Sequence, residues 1–142
     1  MHGQAEAAAV VAGLAKLGFS AGQVVQELGW DADSDESLRL AIEELTGNVL
    51  EDDGYAEGAD GVLVWFRSFD GDLVDILVDA LTNLVDRGAL VLATPRADQD
   101  GHVEPSEIAD AAVAAGLHPS VVVNLSREWA LQRLEAPRSQ RR

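Results

Sequence analysis

A chain of 142 residues, 47% of them hydrophobic, is long enough to bury one core and too apolar for a disordered segment. Its 25 acidic residues outnumber 10 basic ones, and the net charge of −15 repels phosphate, which disfavours direct nucleic-acid binding. The absence of cysteine excludes disulfides, thiolate metal sites and a cysteine nucleophile.

The longest apolar run, residues 7–15 (AAAVVAGLA), is too short to span a bilayer. No Lys or Arg precedes it, so the basic start of a secretory signal is missing. It predicts a helix over about Ala5 to Leu17 closed by Gly18, in a cytoplasmic protein without membrane contact. Gln23 to Leu28 reads as a strand ending at Gly29. Asp33 or Ser34 then caps a helix over about Asp35 to Leu45, with Leu38, Ile42 and Leu45 on one face and a stop at Gly47-Asn48.

Residues 49–60 read as an acidic loop with at most a short strand at Val49-Leu50. Gly61 to Phe66 is an apolar run of strand length, as expected of a strand buried on both faces. Asp72 to Arg87 predicts the longest amphipathic helix: Leu73, Leu77, Leu81 and Leu84 on one face, Asp72, Asp75, Asp79 and Asp86 on the other. Gly88 caps it, and Ala89 to Ala93 follows as a second buried strand. Pro105 opens a helix running to about Ala115 and stopping at Gly116. Strands at Ser120 to Leu125 and Trp129 to Glu135 close the chain, joined by Ser126-Arg127-Glu128.

This order predicts an α/β fold: a mostly parallel Rossmann-like three-layer sandwich with an antiparallel C-terminal strand pair. One domain over residues 1–137 is expected, followed by a basic tail at 138–142. The order resembles the second half of class I methyltransferases, which end in such a strand pair, and that likeness carries fold alone. At residue level the strings QVVQELGWD, DGDLVDILVDAL, ATPR, GHVEPSEIADAA and VNLSREWALQRL resemble the actinobacterial family called domain of unknown function 3052, over about residues 14 to 138. The resemblance implies a bacterial, intracellular, methyltransferase-like protein without an assigned reaction. Many members of that family carry a Cys where this chain reads Glu44 to Gly47, so a thiol role there cannot operate in this chain.

Two local motifs are discounted. Gly18-Phe19-Ser20-Ala21-Gly22 matches the G-x-S-x-G nucleophile elbow, but a helix precedes it and a strand follows, the reverse of what the elbow needs. Asp31, Asp33 and Asp35 have the opening spacing of a calcium loop, whose required Gly and Glu are replaced by Glu36 and Ile42. No metal site and no catalytic residue is assigned.

Candidate binding residues come from topology, since ligands of open α/β sheets sit beyond the carboxyl ends of the strands. Those ends carry Trp30, Asp31, Arg67, Thr94, Arg96 and His102. Trp30 offers a stacking surface; Arg67 and Arg96 offer bidentate contacts to a carboxylate or phosphate, unless each is spent on a nearby carboxylate such as Asp31, Asp70 or Asp98. The exit Leu28-Gly29-Trp30-Asp31 has one glycine where cofactor-binding loops have several, so no cofactor is expected. Trp30 there implies a crevice that is closed, or recast with arginines. Glu51 or Asp52 would serve as a ribose anchor, with nothing in the sequence to pin the strand before them.

Three functions follow. The first expectation is a non-catalytic methyltransferase-like module that binds a basic protein surface through Asp72, Asp75 and Asp79. The second is a binder of a small anionic metabolite at the strand ends, and the third an atypical S-adenosylmethionine-dependent methyltransferase.

Overall fold

The computed structural model describes the backbone of residues 2–136 and the side chains of residues 7–136; the basic tail lies outside these. Helix α1 (His2–Lys16) precedes β1 (Val25–Leu28), α2 (Glu36–Thr46), β2 (Ala59–Trp65), α3 (Leu73–Thr82), β3 (Leu84–Pro95), α4 (Pro105–Ala114), β4 (His118–Val123) and β5 (Trp129–Glu135). The sheet order is β1-β2-β3-β5-β4. β1, β2 and β3 pair in parallel, while β5 runs antiparallel to both β3 and β4.

Period-two alternation gives the sheet two apolar faces. Val62, Val64, Phe66, Leu90, Leu92 and Leu134 face α3 and α4. Leu63, Trp65, Val91, Ala93 and Leu131 share the other cluster with Leu14 and Leu17 of α1 and with Leu38 and Ile42 of α2. The three-layer architecture expected from the sequence is present.

One residue beyond the main strands explains why the helices divide between the faces. Glu51 forms a parallel bridge to Gln26. Its amide donates to Val25 O and its carbonyl accepts from Glu27 N, both at 2.8 Å, whereas Val24 O accepts from Asp60 and Gly61. Backbone groups alternate sides along a strand, so Glu51 lies on the edge of β1 opposite β2. The chain therefore leaves β1 through α2 in one direction and leaves β2 through α3 in the other. Right-handed crossovers in opposite directions place α2 and α3 on opposite faces. The reversal falls between β1 and β2.

Several boundaries differ from the sequence reading. The cap of α2 is Asp35, whose side chain accepts from Leu38 N, rather than Asp33 or Ser34. The short strand at Val49-Leu50 reduces to the Glu51 bridge. Helix α3 stops at Thr82, not Arg87, and Leu84 already pairs with Ala59 of β2. Asp86 consequently lies on β3 and is no part of the helix stripe. Gly88 is a bulge position rather than a helix cap: the register shifts between Ala59 and Gly61, Arg87 has φ 66°, and a Cβ on Gly88 would sit 2.9 Å from Asp60 O.

Candidate functional site

The reversal between β1 and β2 leaves part of β1 uncovered on the α3 side. A cleft of about 850 Å³ opens there, within the range of small-molecule sites. Gln26 and Leu28 of β1 form one wall; Ile76 and Asp79 of α3, with its C-cap Asn83, form the other. Asp53, Tyr55 and Ala56 cross its lower end, and Gly29, Trp30, Asp31, Arg67 and Asp70 frame its upper end.

Gly29 is required where it stands. Its φ is +80°, and a Cβ there would lie 2.2 Å from Trp65 O. The exits of β1 and β2 thus approach more closely than any side chain allows.

Arg67 holds those exits together. It is buried, and its Nη1 donates to Gly29 O at 2.7 Å and to Asp70 at 3.3 Å. Its Nε donates to Asp33 Oδ2 at 3.1 Å, while Nη2 donates to Asp33 Oδ1 and to Ser34 Oγ. Every N–H of the guanidinium has a protein acceptor. The flat group also lies 5.0 Å from the centre of the Trp129 ring. Burial works against its charge, but its hydrogen bonds to Asp33 and Asp70 outweigh that and raise its pKa. The Arg67 hydrogen bond in turn lowers the pKa of Asp33.

Trp30 does not stand in the cleft as a plug. Its ring packs edge-on to Trp65 at 5.8 Å, and Trp65 continues edge-on to Trp129 at 4.9 Å. The Arg39 guanidinium covers Trp30 at 4.5 Å. Beneath them the buried Glu27 carboxylate accepts from Trp65 Nε1 at 2.9 Å and pairs with Arg39 at 3.0 Å. Desolvation raises the Glu27 pKa against the pull of these partners. The crevice is open, with Trp30 as a side wall.

The remaining sequence candidates separate. Asp31 is at the cleft mouth, where its Oδ1 accepts from Ala32 N at 2.7 Å. Thr94, Arg96 and His102 belong to the exit of β3, away from the cleft lining. Thr94 is buried in the ladder opposite Ala130. The Arg96 amide donates to Glu128 O. His102 Nδ1 lies 2.9 Å from Pro95 O, and its Nε2 lies 3.5 Å from Glu104. The crevice is therefore not recast with two arginines: Arg67 is spent internally, on Asp70 and on Asp33, and Arg96 lines no part of it. Two of the calcium-like triplet are spent too, Asp33 on Arg67 and Asp35 on the α2 cap and on Ser126 at 2.7 Å. Among the described residues no cluster of His, Asp or Glu has the makings of a metal site. Of the aspartate stripe, Asp72 caps α3, Asp75 is exposed, and Asp79 lines the cleft.

Sequence reasoning missed the cleft floor. Gln26 Nε2 donates to Asp52 O and Tyr55 O, both at 3.0 Å, and its Oε1 accepts from Asn83 Nδ2 at 3.3 Å. Asn83 also donates to Tyr55 O and accepts from Gly58 N. The two amides stitch the 52–58 loop across the bottom of the cleft. The available signal was a glutamine within a strand, which needs partners when buried.

Residues 14–138 match the family described as a protein of unknown function, DUF3052. The chain belongs to that family. An uncharacterised protein of Mycobacterium tuberculosis (strain H37Rv) is 48% identical over 124 residues, covering 87% of this chain and 78% of that protein. A counterpart from Mycobacterium bovis shows the same 48% identity. Among solved structures, the magnesium protoporphyrin IX methyltransferase of Synechocystis with bound SAM is similar at a TM-score of 0.58 and 11% identity, covering 96% of this chain and 80% of that one. Precorrin-6y C5,15-methyltransferase of Geobacter metallireducens is similar at a TM-score of 0.61 and 13% identity, covering 90% and 87%. At such identities the likeness shows the methyltransferase-type Rossmann fold alone. No helix among the described residues is long and apolar enough to cross a membrane.

Proposed function

We propose that this DUF3052 protein binds a small, nucleoside-like molecule rich in hydrogen-bond donors and carrying positive charge, in the cleft between β1, α3 and the 52–58 loop. The observation that carries the reading is the inventory of polar groups around the cleft. Its lining holds Asp31, Asp53, Asp70 and Asp79, and its one cationic side chain, Arg67, has no N–H to spare. A ligand there meets acceptors, which match ribose hydroxyls, exocyclic amines and ammonium or sulfonium centres.

Position supports it as well. The cleft is at the point where the sheet's connections reverse, the usual ligand position in such folds. Glu51, pinned by its bridge to Gln26, brings the acidic 51–53 segment beside that position. Bound SAM in the similar Synechocystis methyltransferase gives the first probe to try.

The anionic-metabolite expectation loses its two arginines in this arrangement. The protein-partner expectation keeps Asp75 as the one stripe member with neither a capping role nor a place in the cleft. Titration calorimetry with adenosine, S-adenosylmethionine and, as anionic control, citrate tests the reading. Saturable heat from the nucleosides, weakened in Asp79→Asn and absent with citrate, is expected. Silence from every nucleoside at millimolar concentration, or equal binding of citrate, overturns it.

A further inference from the structure

The upper end of the cleft says more about the ligand than that it is cationic. A nucleoside cofactor with an amino-acid tail must settle an α-carboxylate as well as an amine. A carboxylate in a protein cleft needs a cation, or backbone amides turned toward it. At this end the cation is committed, and so are three amides of the β1 exit loop. Arg67 gives its guanidinium to Gly29, Asp33, Ser34 and Asp70. The exit loop of β1 folds three of its amides inward: Asp31 N donates to Ser34 Oγ at 3.0 Å, Ala32 N to Asp31 Oδ1 at 2.7 Å, and Ser34 N to Asp31 O at 2.9 Å. The carboxylate-bearing residues that line the cleft at these exits are Asp31 and Asp70, and the next loop adds Asp53.

We infer that the cleft selects a nucleoside whose side chain ends in an amine and lacks a carboxylate, and that Asp31 sets this preference. The inference rests on the nucleoside reading above and narrows it to a ligand class. The same carboxylates that draw an ammonium group repel a neighbouring α-carboxylate, with Arg67 too occupied to screen it. Asp31 is the residue to alter, because Asp70 also holds Arg67 and the backbone of its own turn. An asparagine at position 31 keeps the oxygen that accepts from Ala32 N while removing the charge.

The test is calorimetry on the full chain with four probes: adenosine, 5′-methylthioadenosine, S-adenosylmethionine and its decarboxylated analogue, which retains the sulfonium and the primary amine. Decarboxylated S-adenosylmethionine is expected to bind at least about tenfold tighter than S-adenosylmethionine, about 1.4 kcal/mol. Asp31→Asn is expected to narrow that gap by tightening S-adenosylmethionine, leaving methylthioadenosine unchanged. The gap should also shrink as salt is raised. Equal or tighter binding of S-adenosylmethionine, or a gap untouched in Asp31→Asn, overturns the carboxylate selection while leaving the nucleoside reading standing. Failure of all four probes to bind removes both.

Discussion

Arg67 Nη1 donates to the carbonyl of Gly29 at 2.7 Å, joining the exits of the two strands between which the sheet's connections reverse. A side chain that reads in the sequence as an anion receptor is a strut for the cleft's upper end. Its partners reach from the β1 exit through Ser34 to Asp70, with Trp129 beneath. The consequence is chemical as well as structural. The one cation of the lining is neutralised, and the cleft keeps an acceptor character.

If Arg67 is a strut, removing it costs stability. Arg67→Ala leaves Asp33 and Asp70 without their partner and opens space beside Trp129. We expect a loss of about 2 kcal/mol, as for lost hydrogen bonds to charged groups, since the half-exposed Asp33 can return to water. Arg67→Lys is expected to recover only part, since an ammonium group cannot reproduce the planar fork. Urea unfolding with tryptophan fluorescence reads both; unchanged stability in Arg67→Ala would show that the side chain is free for a ligand.

Gly29 admits no side chain. In Gly29→Ala a Cβ meets Trp65 O, already 2.2 Å from the ideal position, at a φ that L-residues rarely adopt. A destabilisation above about 2 kcal/mol is expected. Gly47→Ala makes the control, having a similar φ of +82° and nothing nearby, and should cost less. Equal costs would show that backbone strain, not the approach of the two strands, explains Gly29.

Asp33 and Glu27 give opposite pH dependences. The pKa of Asp33 is lowered from its ordinary 3.8 by the Arg67 hydrogen bond. Its contribution is present above that value and lost as pH falls through the folded-state pKa. The pKa of Glu27 is raised from its ordinary 4.5 by desolvation. Its contribution is full below 4.5 and lost as pH rises through the folded-state value. Stability of Asp33→Asn should therefore converge on the unmodified protein in acid, while Glu27→Gln should gain on it as pH rises from acid. Unfolding titrations between about pH 3 and pH 7 distinguish the two signs.

The floor amides predict a local effect. In Asn83→Ala the Gly58 amide loses its side-chain acceptor, and Tyr55 O loses a donor. Amide exchange at Gly58 should accelerate, with a stability cost of about 1 kcal/mol. Exchange at Val91, in the middle of β3, should be affected only through that global change.

Much of the fold was legible because its signals are local. Buried strands gave apolar runs at Gly61 to Phe66 and Ala89 to Ala93, and Gly18 and Gly47 marked helix ends with φ of 104° and 82°. The end of α3 was not legible. Leu84 continues the spacing of Leu73, Leu77 and Leu81, so periodicity alone extends the helix, whereas in the structure Leu84 meets Ala59 across the sheet. Pairing between distant residues leaves no local trace. The site was harder for the same reason. Topology located the strand exits, but Arg67 meets Asp33 across 34 positions and Asn83 meets Gln26 across 57. Trp30 read as an obstruction because the sequence does not show that it leans on Trp65 under Arg39.

The most direct test of the whole account is the charge preference of the cleft. Calorimetry at neutral pH, comparing decarboxylated S-adenosylmethionine with citrate in the unmodified protein and in Asp79→Asn, reads it in one series. Saturable binding of the cationic nucleoside, weakened several-fold by Asp79→Asn, and no heat from citrate are expected. Tight citrate binding that survives Asp79→Asn and is abolished by Arg96→Ala would contradict it.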